Sequence, residues 1–125
     1  MKRLVAPYLF QLCLIGLVTS CSHPQTKLQC PLPEGRNAGS TLGESPKQIA
    51  IAGERLGAGS ENDISTAVAT IKARHPKAAT SEIVNYLITG FCPKIKTDRT
   101  LDETGKQDAL KSFSTRVAKI AENYN

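Results

Sequence analysis

The sequence predicts an all-α protein, a small three- or four-helix bundle behind an extended N-terminal segment. Three observations carry that expectation. Apolar residues recur at helical spacing in several separate stretches. Helix-start signatures stand in front of those stretches. No alternation of apolar and polar residues competes for a sheet. The chain has no internal repeat.

The first helix is expected to begin at Ser45. Ser45-Pro46-Lys47-Gln48 offers a capping serine, a proline at the first helical position and a glutamine at the third. Ile49, Ala52 and Leu56 would form its inner stripe, and Gly57 its C-terminal stop. Gly53 weakens the helix, and Gly53, Gly57 and Gly59 read as helix punctuation. The second helix follows a capping box of Ser60 and Asp63, with Ile64, Ala67, Val68 and Ile71 on one face. Lys72 and Arg74 suit its C-terminal end, and Pro76 should close it.

A third helix is expected from Thr80 or Ser81, with Glu82 in its first turn. Ile83, Val84, Leu87, Ile88 and Phe91 give it a wide apolar face. Cys92, four positions after Ile88, shares that face. Pro93 should stop this helix and leave the Cys92 sulfur at its end, beside the core. The fourth and longest helix would start at a capping box of Thr100 and Glu103. Leu110, Phe113, Val117, Ile120 and Tyr124 form its stripe, and Asp102–Lys106 and Asp108–Lys111 are candidate ion pairs on its wet side.

The first residues are a different kind of segment. Lys2 and Arg3 precede an apolar run from Leu4 to Val18, and small residues lead into Cys21, the pattern of a secretory signal. Val18-Thr19-Ser20-Cys21 resembles the lipobox of bacterial lipoproteins. Small Thr19 and Ser20 suit the peptidase, whereas Cys13 follows Gln11 and Leu12, which are not small. The resemblance implies cleavage before Cys21 and lipidation of its thiol. It also implies the inner leaflet of a Gram-negative outer membrane, since Ser22 rather than Asp follows the cysteine. The segment from Ser81 to Pro93 is similar to a stretch of small proteobacterial lipoproteins of unassigned function. The expected organisation is a signal peptide at 1–20, a lipidated flexible tether at 21–44 and a helical domain at 45–125. The tether assignment rests on helix breakers at Pro24, Pro31, Pro33 and between Gly35 and Gly43.

Removing residues 1–20 from the 125 leaves 105, enough for one small domain. The net charge of +5 falls to about +3 when Lys2 and Arg3 leave with the signal. The bases are scattered. Lys94, Lys96 and Arg99 are the densest group and read as a solvated loop, with anionic phospholipid or an acidic partner as the other reading. There is no Trp, and only three Phe and three Tyr, so the stacking platforms of a nucleic-acid binder are missing.

Once the signal takes Cys13 and the lipid takes Cys21, Cys30 and Cys92 remain in an oxidising compartment. With 61 residues between them, pairing within the chain would restrict the unfolded state by about 4 kcal/mol. A bond to a partner protein is the alternative. Two sulfurs do not complete a metal site, and the spacing is not that of a redox pair.

No catalytic set emerges. His75, before Pro76, reads as a helix-end cap that satisfies free carbonyls, and His23 as an exposed residue beside the lipid. Asp102 and Glu103 read as first-turn acids that complement the helix dipole. Tyr86 is expected to bury its ring and keep its hydroxyl wet, and with Asn85 it is a possible partner patch. Zinc, haem and phosphate-loop motifs are missing. The expectation is a non-enzymatic interaction or accessory module of the cell envelope. It would need no cofactor, nucleic acid or small-molecule substrate. It would be held at the membrane through Cys21, face the periplasm and meet an envelope protein partner. The alternative is a periplasmic inhibitor or immunity protein against a toxin or a wall-degrading enzyme.

Overall fold

Helix-start chemistry places three of the four helix starts within a residue of the positions expected, as seen in a computed structural model that describes residues 26–33 and 41–124. The expected signal segment 1–20, the expected lipidation site Cys21 and His23 lie outside the described residues. Helices α1 (Pro46–Arg55), α2 (Glu61–Arg74), α3 (Thr80–Thr97) and α4 (Glu103–Glu122) pack on one another, with no strand among the described residues. The Ser45 and Ser60 hydroxyls accept the Gln48 and Asp63 N–H groups, and both side chains answer with the reciprocal bond of a capping box. Gly57, at φ +53°, takes the left-handed conformation just past α1.

The core is the meeting of the predicted stripes. Ile49 and Leu56 of α1, Ile64, Val68 and Ile71 of α2, Ile83 and Leu87 of α3, and Phe113 and Val117 of α4 are all buried. Phe91 stacks on Phe113 with ring centres 4.3 Å apart, joining α3 to α4. Tyr124 departs from its stripe. It lies past the end of α4, is half exposed, and meets the Ser65 hydroxyl at 3.3 Å.

Two helix boundaries differ from expectation. Pro93 does not stop α3, which runs on to Thr97. The proline removes one N–H and crowds the Thr89 carbonyl, at a cost of about 3 kcal/mol. The turn beyond it compensates. Ile95 is buried, the Lys94 ammonium donates to the Gly57 carbonyl, and Thr97 Oγ1 donates to the Pro93 carbonyl at 3.0 Å. Cys92 is therefore within α3, fully buried, rather than at its end. The start of α4 also shifts. Asp102, not Thr100, is the cap and accepts the Gly105 N–H at 2.7 Å. Thr100 instead closes a turn onto the Asp98 carboxylate, which the Thr100 hydroxyl and N–H hold below its ordinary pKa. The Lys106 ammonium pairs with Glu103 rather than Asp102.

Residues 26–33, expected within a flexible tether, form a strap against the helices. The Thr26 carbonyl accepts from Gln107 Nε2 at 2.7 Å, and the Leu28 N–H donates to Glu103 at 2.9 Å. Leu28 is buried, and Cys30 is bonded to Cys92 with the Cα atoms 5.6 Å apart. Glu103 thus does more than complement a helix dipole. The Leu28 N–H, and then Lys106, hold its carboxyl below the ordinary range.

The strap borders a cleft of about 590 Å³ along the seam between α1 and α3, where the two backbones touch. A Cβ on Gly53 would lie 2.0 Å from the Gly90 oxygen, and one on Gly90 would lie 2.6 Å from the Ile49 oxygen. Gly53 is therefore a packing residue and not helix punctuation.

Candidate functional site

Helix α1 presents one flank to α3 and leaves the other open. Between α1 and α2 runs a groove of about 420 Å³. Its floor is Ala52, Ala67, Ile71 and Leu87, residues that the helical periodicity turns inward from α1, α2 and α3. Gln48, Ile51 and Arg55 rise from α1 on one side, and Asp63, Thr66, Thr70 and Arg74 from α2 on the other. The polar rim follows from the same periodicity, because one residue in each turn of these helices faces away from the core. The Thr66 and Thr70 hydroxyls donate back to the Asn62 and Thr66 carbonyls, and Asp63 is engaged in capping α2. Ile51, on the α1 lip, is one of three large apolar side chains exposed among the described residues.

One end of the groove is built on a charged latch. Glu44, at the end of the turn before α1, turns its carboxylate inward so that only 8% of the side chain is exposed. Arg74 Nη1 reaches Glu44 Oε1 at 2.5 Å, and His75 Nε2 lies 3.1 Å from the same oxygen. The Tyr86 hydroxyl donates to Oε2. Burial pushes the Glu44 carboxyl up, but Tyr86, His75 and Arg74 together outweigh it and hold the carboxyl below its ordinary value. Burial, and then the Glu44 charge, push the Tyr86 hydroxyl up to about 12. Glu44 thereby ties the entry to α1 onto the end of α2 and the first half of α3.

Two expectations change here. The Tyr86 ring is buried as expected, but its hydroxyl is not wet, since Glu44 takes its proton as a hydrogen bond. Asn85 is exposed and does not join it. His75 is the capping residue of α2 through its N–H to the Ile71 carbonyl, while its ring serves Glu44 rather than free carbonyls. Of the predicted site residues, Cys30 and Cys92 are brought together, 62 positions apart in sequence. Glu44 and Arg55 were not singled out by sequence. The one available signal for Glu44 was an acid immediately before a capping serine, in a segment otherwise short of charge.

Chemically, the latch is closed on itself. Both Glu44 oxygens are occupied, and Tyr86 and His75 are spent on them. Among the described residues, no group of three His, Cys, Asp or Glu side chains is placed to hold a metal ion. Nor is any helix there long and apolar enough to cross a membrane. No protein-family model, curated protein or solved structure matches this chain.

Proposed function

We propose that this chain is a lipid-anchored, non-enzymatic interaction module of the cell envelope. In this reading the signal is cut before Cys21, the acylated cysteine holds the domain at the periplasmic leaflet of the outer membrane, and the groove between α1 and α2 receives a segment of an envelope protein. The observation that carries the reading is the groove itself. It has an apolar floor with arginines on both sides, and it lies on a domain whose strongest polar cluster is consumed in holding α1. A floor of small and branched side chains fits one or two apolar residues of a partner, and Arg55 can donate to its carbonyls or carboxylates.

The test is site-specific photocrosslinking in living cells. A photoreactive residue at Ile51, on the groove lip, should yield a discrete adduct. The same residue at Lys111, exposed on α4, should not. Equal adduct patterns at both positions, or none at Ile51, would contradict the docking role. The anchor is tested separately by intact mass of the membrane-extracted chain. A triacylated start at Cys21 is expected, and an unlipidated mass would remove the anchor.

A further inference from the structure

We infer that the strap carries a membrane-resting tip, in which Pro31-Leu32-Pro33 beside Lys96 sits on an anionic phospholipid surface. This rests on the lipid-anchor reading and adds to it which face of the domain meets the bilayer.

Leu32 is the most exposed large apolar side chain among the described residues, at 69%. It stands between two half-buried prolines, and all three line the cleft beside the α1–α3 seam. Proline has no N–H, so this tripeptide carries one backbone donor instead of three. A backbone with few unpaired donors enters the bilayer interface at low desolvation cost. The tip is also preorganised. Two residues before Leu32, Cys30 is bonded to Cys92 in the core, which lowers the ordering cost of contact.

The surrounding charge selects the surface. The cleft around the tip is lined by Lys94, Lys96 and a single acid, Glu54; the Lys94 ammonium is turned to the Gly57 carbonyl, so Lys96 is the base presented to headgroups. Lys96 is exposed one turn beyond Cys92 and lines the same cleft as Pro31, Leu32 and Pro33. An apolar tip beside an exposed lysine matches the interface of a bilayer containing anionic headgroups.

The reach of the chain selects it too. Gln107 holds the Thr26 carbonyl, so the strap is docked only five positions after Cys21. Five residues span at most about 17 Å. A lipid on Cys21 therefore keeps the strap side of the domain near the headgroups. The α1–α2 groove is built on the other flank of α1 and stays free for a protein.

The chain has no Trp, so a single one reports its own position. The L32W and I51W variants would be extracted from bacterial membranes as full, processed chains. They would then be reconstituted into phosphatidylethanolamine–phosphatidylglycerol vesicles, with and without brominated acyl chains. Both proteins should float with the vesicles. The indole of L32W should shift to the blue and lose intensity to the brominated lipid, and that of I51W should keep its aqueous emission. Adding Lys96→Glu to L32W should reduce the quenching, as should replacing phosphatidylglycerol by phosphatidylcholine. Unquenched L32W on floating vesicles would overturn the inference and leave the anchor standing. Equal quenching of I51W would overturn it in favour of the groove. Quenching unchanged by Lys96→Glu and by lipid charge would overturn the anionic preference. Failure of both proteins to float would remove the anchor, and the inference with it.

Discussion

Helix α1 has two flanks that the fold treats in opposite ways. Toward α3 it lies so close that neither Gly53 nor Gly90 has room for a methyl group, and the disulfide-held strap runs beside the contact. Toward α2 it makes little contact, and a groove opens instead. A ten-residue helix of modest propensity would not hold alone. The seam with α3 supplies the support, and that support frees the other flank from any structural duty. The difference teaches where to look for a binding surface in such a domain. The candidate binding surface is the flank that stability does not need.

The largest break in this contrast should come from the staple. Cys92→Ser is expected to lower stability by about 4 kcal/mol in the chain-entropy model, measured by urea unfolding under oxidising conditions. It should also expose the strap to protease, since Leu28 and Thr26 would then be held by hydrogen bonds and one buried side chain alone. Equal unfolding midpoints of variant and parent would remove the staple from the account.

Next in size is the seam. Gly90→Ala should cost about 2–3 kcal/mol, because the added Cβ meets the backbone oxygen of Ile49 and not a side chain that can turn aside. The strain should appear as faster hydrogen exchange in α1, with α2 unaffected. Protection unchanged in α1 would show that the backbones are less tightly engaged than their geometry requires.

The latch comes third. The Glu44 carboxyl is held below its ordinary 4.5, so its contribution is present above that pH and is lost as pH falls through the lower folded value. Glu44→Gln should therefore cost about 1–2 kcal/mol at pH 7, after allowance for solvent screening. It should also flatten the loss of stability below about pH 4.5. Parallel acid limbs in variant and parent would show that Glu44 is not the group responsible.

Much of this fold was legible in the sequence because its signals are local. Ser45 and Ser60 cap their helices through residues three positions on, and the stripes of α2 and α3 bury the side chains that their spacing selects. The pairing of Cys30 with Cys92 was legible because Cys13 and Cys21 fall within the expected signal and its lipobox. What was not legible depends on distant partners. Pro93 reads as a stop until Ile95 and the Gly57 carbonyl reward the turn beyond it. Gly53 reads as a weak point until Gly90, 37 positions away, is laid against it. Glu44 reads as loop until Tyr86 and Arg74 surround it. The groove was illegible for the same reason, since it is a gap between two helices whose own patterns are complete.

The most direct test of the contrast places one substitution on each flank of α1 and measures both by urea unfolding of the disulfide-intact chain at pH 7. Gly53→Ala should lose about 2–3 kcal/mol against the α3 backbone. Ile51→Ser, on the groove lip, should stay within about 0.5 kcal/mol of the parent. Comparable losses at the two positions would mean that α1 is held from both sides, and that the groove is part of the core rather than a surface left open for a partner.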